Sequence, residues 1–430
     1  MGDNTKFTKI LIFTAACIGW IHDAFNLTII TLIGNDIKLA FGVGNFELGL
    51  IFSGQFIATF FGAIFFGSIA DRIGRKPALL FSILWDTIIT TLSAFSPNFI
   101  WLFLTRIFSG MGVSWGVGYA LIAEVFGKKP KRRGLAGGFL HSTFIIGFVL
   151  ASVIAQLILP LTLPFGSWRY CFLFSLFPLP LLLIFQFKMK ESEMMVEYKE
   201  EINKRGIQIR KVPLLNVFKK EKGTYLLIIS AIMLWLSQLV YHNIIDFGPT
   251  FIEDFSGDPN LGQRMVTLVG IFGAIGIIGF GGLSDKIGRR ISFFINIVIQ
   301  LISVIIFLIA NELLLLNMLI LAYILFGFGQ GNSGVQGVWL TEMFSTGERA
   351  STSSVIYSFA RGFSLSGIIV GLASELLEDS LGLTATKALG WSMGLALFFC
   401  IPLLILPWLL PETKGKMLKS YEEEDIEVKD

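Results

Sequence analysis

Apolar residues run through this chain in about twelve long blocks, and the charged residues sit almost entirely between them. The blocks lie near 9–34, 46–70, 77–95, 98–123, 135–158, 167–187, 223–252, 262–284, 290–310, 314–341, 347–376 and 385–410. Each is close to the roughly 20 apolar residues that carry a helix across a bilayer core. None keeps the polar–apolar alternation of period two that a porin-like barrel requires. The pattern predicts an all-α membrane protein with about 12 transmembrane helices.

Composition agrees with the pattern. Of 430 residues, 54% are hydrophobic, and the mean hydropathy is +0.73, above what soluble domains of this size show. A net charge of +3, with no basic face carrying interleaved aromatics, argues against nucleic-acid binding. Cys17, Cys171 and Cys400 fall inside blocks and read as small packing residues, without metal or disulfide spacing. No cleavable signal is evident: the first block is too long for a signal core and carries Asp23 in its middle.

Lys and Arg sort onto alternate connections. One side holds Arg72, Arg75 and Lys76, then the run from Lys128 to Arg133, then Lys286, Arg289 and Arg290, then Arg349, together with both termini. The other side carries only Lys38, Arg169, Arg264 and Lys387, with acids such as Asp254, Asp258, Glu378 and Asp379. The positive-inside rule makes the basic side cytoplasmic. The expectation is a multi-pass plasma-membrane protein with both termini cytoplasmic. It divides into an N-terminal six-helix half (1–187), a cytoplasmic linker (188–222), a C-terminal six-helix half (223–410) and a short tail (411–430).

The two halves repeat each other. Gly67-Ser-Ile-Ala-Asp71-Arg72-Ile-Gly74-Arg75-Lys76 follows the second block, and Gly281-Gly-Leu-Ser-Asp285-Lys286-Ile-Gly288-Arg289-Arg290 follows the eighth, about 214 residues on. Glu124-Val-Phe after the fourth block is echoed by Glu342-Met-Phe after the tenth, about 218 residues on. Two different motifs at nearly one offset point to duplication. Six-span halves related this way suit a carrier that rocks about a site near the bilayer midplane.

The repeated G-x-x-x-D-[RK]-x-G-R-[RK] loop, with Pro411-Glu412-Thr413-Lys414-Gly415 after the last block, resembles the major facilitator superfamily along the whole chain. In that family the loop latches one conformation. The resemblance therefore assigns Gly67, Asp71, Arg72, Gly74, Arg75, Gly281, Asp285, Gly288 and Arg289 to a conformational latch rather than to substrate. The two aspartates are placed to cap a neighbouring helix N-terminus.

Ionisable residues inside spans cost about 2.5–3.5 kcal/mol each on insertion scales, which makes them functional candidates. Asp23 in the first block and Arg106 in the fourth resemble the Asp–Arg proton-coupling pair of proton-driven sugar, phosphate and aromatic-acid carriers; the alternative is a static ion pair. Asn26 stands where the aromatic-acid branch often has a second Asp, and joins the substrate-binding candidates. Arg361 stands where aromatic-acid and animal organic-anion carriers place an intramembrane Arg. A guanidinium there suits a bidentate grip on a carboxylate or phosphate, with an internal salt bridge as the alternative.

Gln238, His242 and Asp246 share one face of the seventh block by their four-residue spacing, with Asp246 expected near the outer mouth. Gln238, His242 and Asn243, with His141 in the fifth block, complete the substrate-binding candidates. Asp86 in the third block has no partner evident from sequence.

The resulting expectation is a secondary carrier coupling protons to a small organic anion, such as a carboxylate or aromatic acid. Its partners are the substrate, protons and the bilayer. The rivals are sugar or polyol symport, phosphate symport, and a non-transporting sensor built on the same fold. No catalytic motif, cofactor signature or metal-ligand spacing argues for an enzyme.

Overall fold

A computed structural model describes residues 2–73, 75–112, 133–177, 179–180, 221–258, 260–344 and 346–415. The linker 188–222 lies almost wholly outside the described residues, as do the Glu124 motif, Gly74, the acidic tail, and the side chains of Gly67, Asp71, Arg72, Arg75 and Arg349.

Among the described residues every regular element is a helix. The first half contains α1 (Gly2–Leu32), α2 (Gly34–Phe41), α3 (Asn45–Ile73), α4 (Arg75–Ser93), α5 (Phe99–Gly110), α6 (Arg133–Ile158) and α7 (Ser167–Leu173). The second contains α8 (Glu221–Ile245), α9 (Gly248–Ser256), α10 (Leu261–Ile287), α11 (Arg289–Leu313), α12 (Leu316–Gly329), α13 (Gly331–Met343), α14 (Thr346–Gly362), α15 (Ser366–Leu381), α16 (Ala385–Met393), α17 (Ala396–Leu403) and α18 (Leu406–Leu409). Nine spans among the described residues are long and apolar enough to cross a bilayer, and Pro77–Ser93 and Phe99–Gly110 are shorter apolar helices. The outward faces carry exposed Phe61, Ile64, Phe65, Ile88, Phe108, Ile275, Phe398 and Ile401, the surface a lipid-facing helix requires.

Several predicted blocks are interrupted. The seventh breaks between Ile245 and Gly248, where Pro249 removes a backbone donor. The tenth breaks at Gln330, and the eleventh between Gly362 and Ser366, where Leu365 takes a φ of 53°. Non-helical backbone is tolerated at membrane depth where it faces protein or a cavity, and all three breaks are close in sequence to residues lining the central cavity.

Two seams join the halves. Along one, α6 follows α10: Gly138 packs on Ile277 and Gly281, and Ser152 and Gln156 bond Thr267 at 2.8 and 3.0 Å. Along the other, α3 meets α14 and α15, where a Cβ on Gly49 would lie 2.1 Å from the Gly367 carbonyl oxygen. Small residues let backbones approach this closely.

Candidate substrate cavity and buried charge clusters

Between the halves lies a narrow polar space, lined by His141, Gln238, Tyr241, Gln330, Tyr357 and Arg361 among others. A second space shares Phe144, Tyr241 and Arg361 with it and adds Thr28, His242 and Asp246. Spans from both halves build it: α1, α3 and α6 from the first, α8, α13 and α14 from the second.

Arg361 lines both spaces and is 5% exposed. Its guanidinium carbon stands 5.0 Å from the Phe56 ring centre and 4.8 Å from that of Phe144. A cation from the second half thus rests on two aromatic faces of the first, an electrostatically favourable seat. The planar guanidinium keeps the fork geometry that matches a carboxylate. His141 packs edge-on against Trp20 at 5.8 Å and Tyr357 at 6.5 Å.

His242 and Asp246 form a buried pair, Nδ1 to Oδ1 3.0 Å, with the His242 ring 4.3 Å from Phe56. The sequence placed Asp246 near a solvated outer mouth; the structure buries it to 3% exposure against His242. Asn243 is 0% exposed and is not among the residues lining these two spaces; one residue past His242, its side chain is turned about 100° around the helix.

A second polar cluster lies within the first half. Asn26 Nδ2 donates to Asp86 Oδ2 at 2.6 Å, and Thr90 Oγ1 donates to Asp86 Oδ1 at 3.1 Å. Arg106 donates to Thr90 Oγ1 at 2.7 Å and to the Asn26 carbonyl at 3.2 Å. His22 Nδ1 stands 3.7 Å from Asp86 and 4.0 Å from Asp23. The structure therefore gives Arg106 a partner other than Asp23: its guanidinium reaches Asp86 through Thr90. Asn26, expected among substrate ligands, lines neither space and belongs to this cluster. His22 and Asp86 are functional candidates that sequence reasoning did not place. The signal for Asp86 was present as an intramembrane acid; its partners Asn26 and His22 are about 60 residues away along the chain.

At the end carrying the basic loops, Asp285 accepts from the backbone N–H of Gly134 and Leu135, each at 3.2 Å, across the halves. Arg289 bonds Asp285 at 2.8 Å and forks onto Glu342 at 3.1 and 3.0 Å. Thr413 Oγ1 donates to Glu342 at 2.6 Å. Glu412 accepts four backbone N–H groups, from Arg289, Arg290, Thr413 and Lys414. Partial burial alone would raise the Glu412 carboxyl, but these four donors outweigh it and hold it below the usual range. Gly281 lies on Gly138 of the first half, and Gly288 turns the chain with a φ of 103°.

Two bundles of membrane-spanning helices closing on a shared polar cavity define a polytopic secondary carrier. The chain belongs to the Major Facilitator Superfamily, whose family model matches residues 11–364 and 231–428, and it is a transporter. It is similar to a probable 4-methylmuconolactone transporter of Cupriavidus pinatubonensis, 27% identical and covering 96% of this chain and 93% of that one. It is similar to a sialic acid transporter of Escherichia coli, 27% identical over 89% of this chain and 88% of the other. A cis,cis-muconate transport protein of Acinetobacter baylyi is 23% identical over 90% and 91%. Among solved structures, the partially occluded inward-open xylose transporter of E. coli superposes with a TM-score of 0.76. It is 17% identical, covering 95% of this chain and 99% of that one, and shows the shared fold.

Proposed function

We propose that this carrier moves a small organic anion, a carboxylate or aromatic acid, into the cell together with protons. The observation that carries the reading is Arg361, a buried guanidinium in the cavity shared by both halves, resting on Phe56 and Phe144. Such a cation fits a carboxylate bidentately, and the two rings flanking it offer faces to a planar, unsaturated or aromatic body. His141, Gln238, Tyr241 and Tyr357 supply hydrogen-bonding groups around it. The acids named for similar carriers support this class.

Proton coupling is supported by the buried carboxylates, Asp23 and Asp86 against Arg106, in the first half, since intramembrane acids mark proton relays. Asp285, Arg289 and Glu342 are proposed to latch the closed cytoplasmic end, because the Asp285 contacts to Gly134 and Leu135 must break for that end to open.

The test is uptake into proteoliposomes of cis,cis-muconate, nicotinate, sialic acid, xylose and inorganic phosphate, with and without an inside-alkaline pH gradient. Gradient-dependent accumulation of a carboxylate, with xylose and phosphate excluded, is expected. Xylose or phosphate accumulation without any carboxylate would reverse the reading.

A further inference from the structure

His242, near the end of α8, is 1% exposed and lines the second space together with Arg361. Asp246, one turn on and 3% exposed, stands 3.0 Å from its Nδ1. Imidazole is more basic than a carboxylate, so the hydrogen between them sits on Nδ1 and Asp246 accepts it. In the neutral ring that leaves a lone pair on Nε2. This nitrogen is buried and has no hydrogen-bond partner among the described residues. A buried polar atom in that position is costly, and it marks a point where a proton or a ligand is taken up.

The surroundings say which. The His242 ring centre is 4.3 Å from that of Phe56, and the Arg361 guanidinium carbon is 5.0 Å from the same centre. One small molecule in the second space can therefore touch both groups. A second positive charge near Arg361 is repelled in a low-dielectric interior, whereas a carboxylate attracts both. A proton on Nε2 is thus disfavoured without the anion and favoured with it.

The other titratable or charged groups lining the second space are Tyr241, Asp246 and Arg361; α1, α3 and α6 contribute none. His141 of α6 and Tyr357 of α14 line the adjoining space. Glu253 and Asp254 of α9 turn to Asn35, and Glu375 of α15 to the Phe46 backbone N–H. Glu342 of α13 meets Arg289, and Lys387 of α16 meets Glu312.

We propose that the His242–Asp246 pair binds a proton at Nε2 together with the substrate anion, so that proton and carboxylate load one site cooperatively. This rests on the anion reading above. The proton adds to the Nε2 lone pair, leaving water or hydroxide on the side of entry, and departs from the same atom to water; no other bond changes. Asp246 is a positioning residue: it keeps hydrogen on Nδ1 and stabilises the imidazolium. By linkage, the anion raises the proton affinity of His242 by the same factor as the proton raises anion affinity. Asp23 and Asp86 are not among the residues lining either space, so this proton sits beside the substrate rather than within the first half.

The chain has three histidines, His22, His141 and His242, so nitrogen NMR of histidine-labelled full-length protein in nanodiscs resolves each one. The signal removed by His242→Gln identifies His242, and the two remaining signals report whether the variant is folded. At about pH 8, His242 is expected neutral with hydrogen on Nδ1 in ligand-free protein, and as the imidazolium with saturating nicotinate. A ring unchanged by nicotinate binding overturns the proposal, as does hydrogen on Nε2 before nicotinate is added.

Affinity against pH is the second readout. Nicotinate stays a monoanion between about pH 7.5 and about pH 9. The parent is expected to lose at least about tenfold in affinity across that range, and His242→Gln less than about twofold. Asp246→Asn, which still hydrogen-bonds Nδ1 but lacks the charge, is expected to move the fall to lower pH. A flat parent profile overturns the proposal, as does a His242→Gln profile as steep as the parent's. If His242→Gln binds no nicotinate, the parent's profile and the NMR form of His242 still decide. If neither nicotinate nor cis,cis-muconate binds the parent at any pH, the anion reading falls and takes this one with it; binding that ignores pH overturns this one alone.

Discussion

Gly49 and Gly367 bring two helices from opposite halves into backbone contact: a Cβ built on Gly49 would meet the Gly367 carbonyl oxygen at 2.1 Å, and one on Gly367 would meet the Gly49 oxygen at 2.7 Å. The contact closes the end opposite the basic loops. Opening that end requires these backbones to part. Gly49→Ala is expected to destabilise the closed form by about 1–3 kcal/mol, the usual cost of overpacking. A cysteine probe near Asn45 should then label faster than in the parent. Unchanged labelling would mean that this seam does not report the closed state.

The Arg289–Glu342 fork is the best-formed ion pair among the described residues, with both groups 2% exposed at the side chain. Glu342→Ala leaves the guanidinium with Asp285 and Ser284 alone, and a loss of about 3–5 kcal/mol is expected for a broken buried pair. Arg289→Lys keeps the charge but loses the fork and should cost less. Thermal unfolding in detergent orders the two; equal losses would refute the role of the fork.

Glu412 makes an acid-limb prediction. Its four backbone donors hold its folded carboxyl below the usual range, so the folded state prefers the ionised form. That stabilisation is fully present above the unfolded value near 4.5. It is lost as pH falls through the lower folded value. Glu412→Gln should remove this part of the acid dependence and leave the alkaline side unchanged. Melting curves across the acid range check it.

Arg361→Lys retains charge without the planar fork and is expected to weaken carboxylate binding by about 1–3 kcal/mol. Arg361→Gln should impair nicotinate far more than nicotinamide. Measuring both ligands in parent and variant decides it. Equal losses would mean that Arg361 holds the halves together through Phe56 and Phe144 and does not touch substrate.

The basic connections predict topology. Tags at either terminus or after Lys190 should be reachable only from the cytoplasm, and a tag near Asp258 only from outside. Finding Lys190 and Asp258 on one side would break the two-half arrangement.

Hydrophobic block length, the sorting of Lys and Arg, and the repeated Gly67 and Gly281 loops were enough to read a two-half helical carrier from the sequence. These features are local or periodic: a helix in lipid satisfies its own backbone, so length and polarity alone define it. The same reasoning picked out Arg361, His141, Gln238 and His242, because an ionisable or polar residue inside a span stands out against its neighbours. All four line the central spaces.

Partnership was a different matter. Which face of one span meets which face of another depends on crossing angles and on side chains 60 to 80 residues apart, as with Asn26, Asp86 and Arg106. Resemblance to proton-driven carriers paired Arg106 with Asp23; in the fold Arg106 bonds Thr90, which bonds Asp86. The breaks at Gln330, Leu365 and before Gly248 were equally illegible, because a block remains apolar whether or not its helix is continuous. Where burial alone is at stake, composition determines the outcome. Where one buried charge must find another, only the packed helices decide, because the interaction acts over a few ångströms and the chain alone does not say which residues come that close.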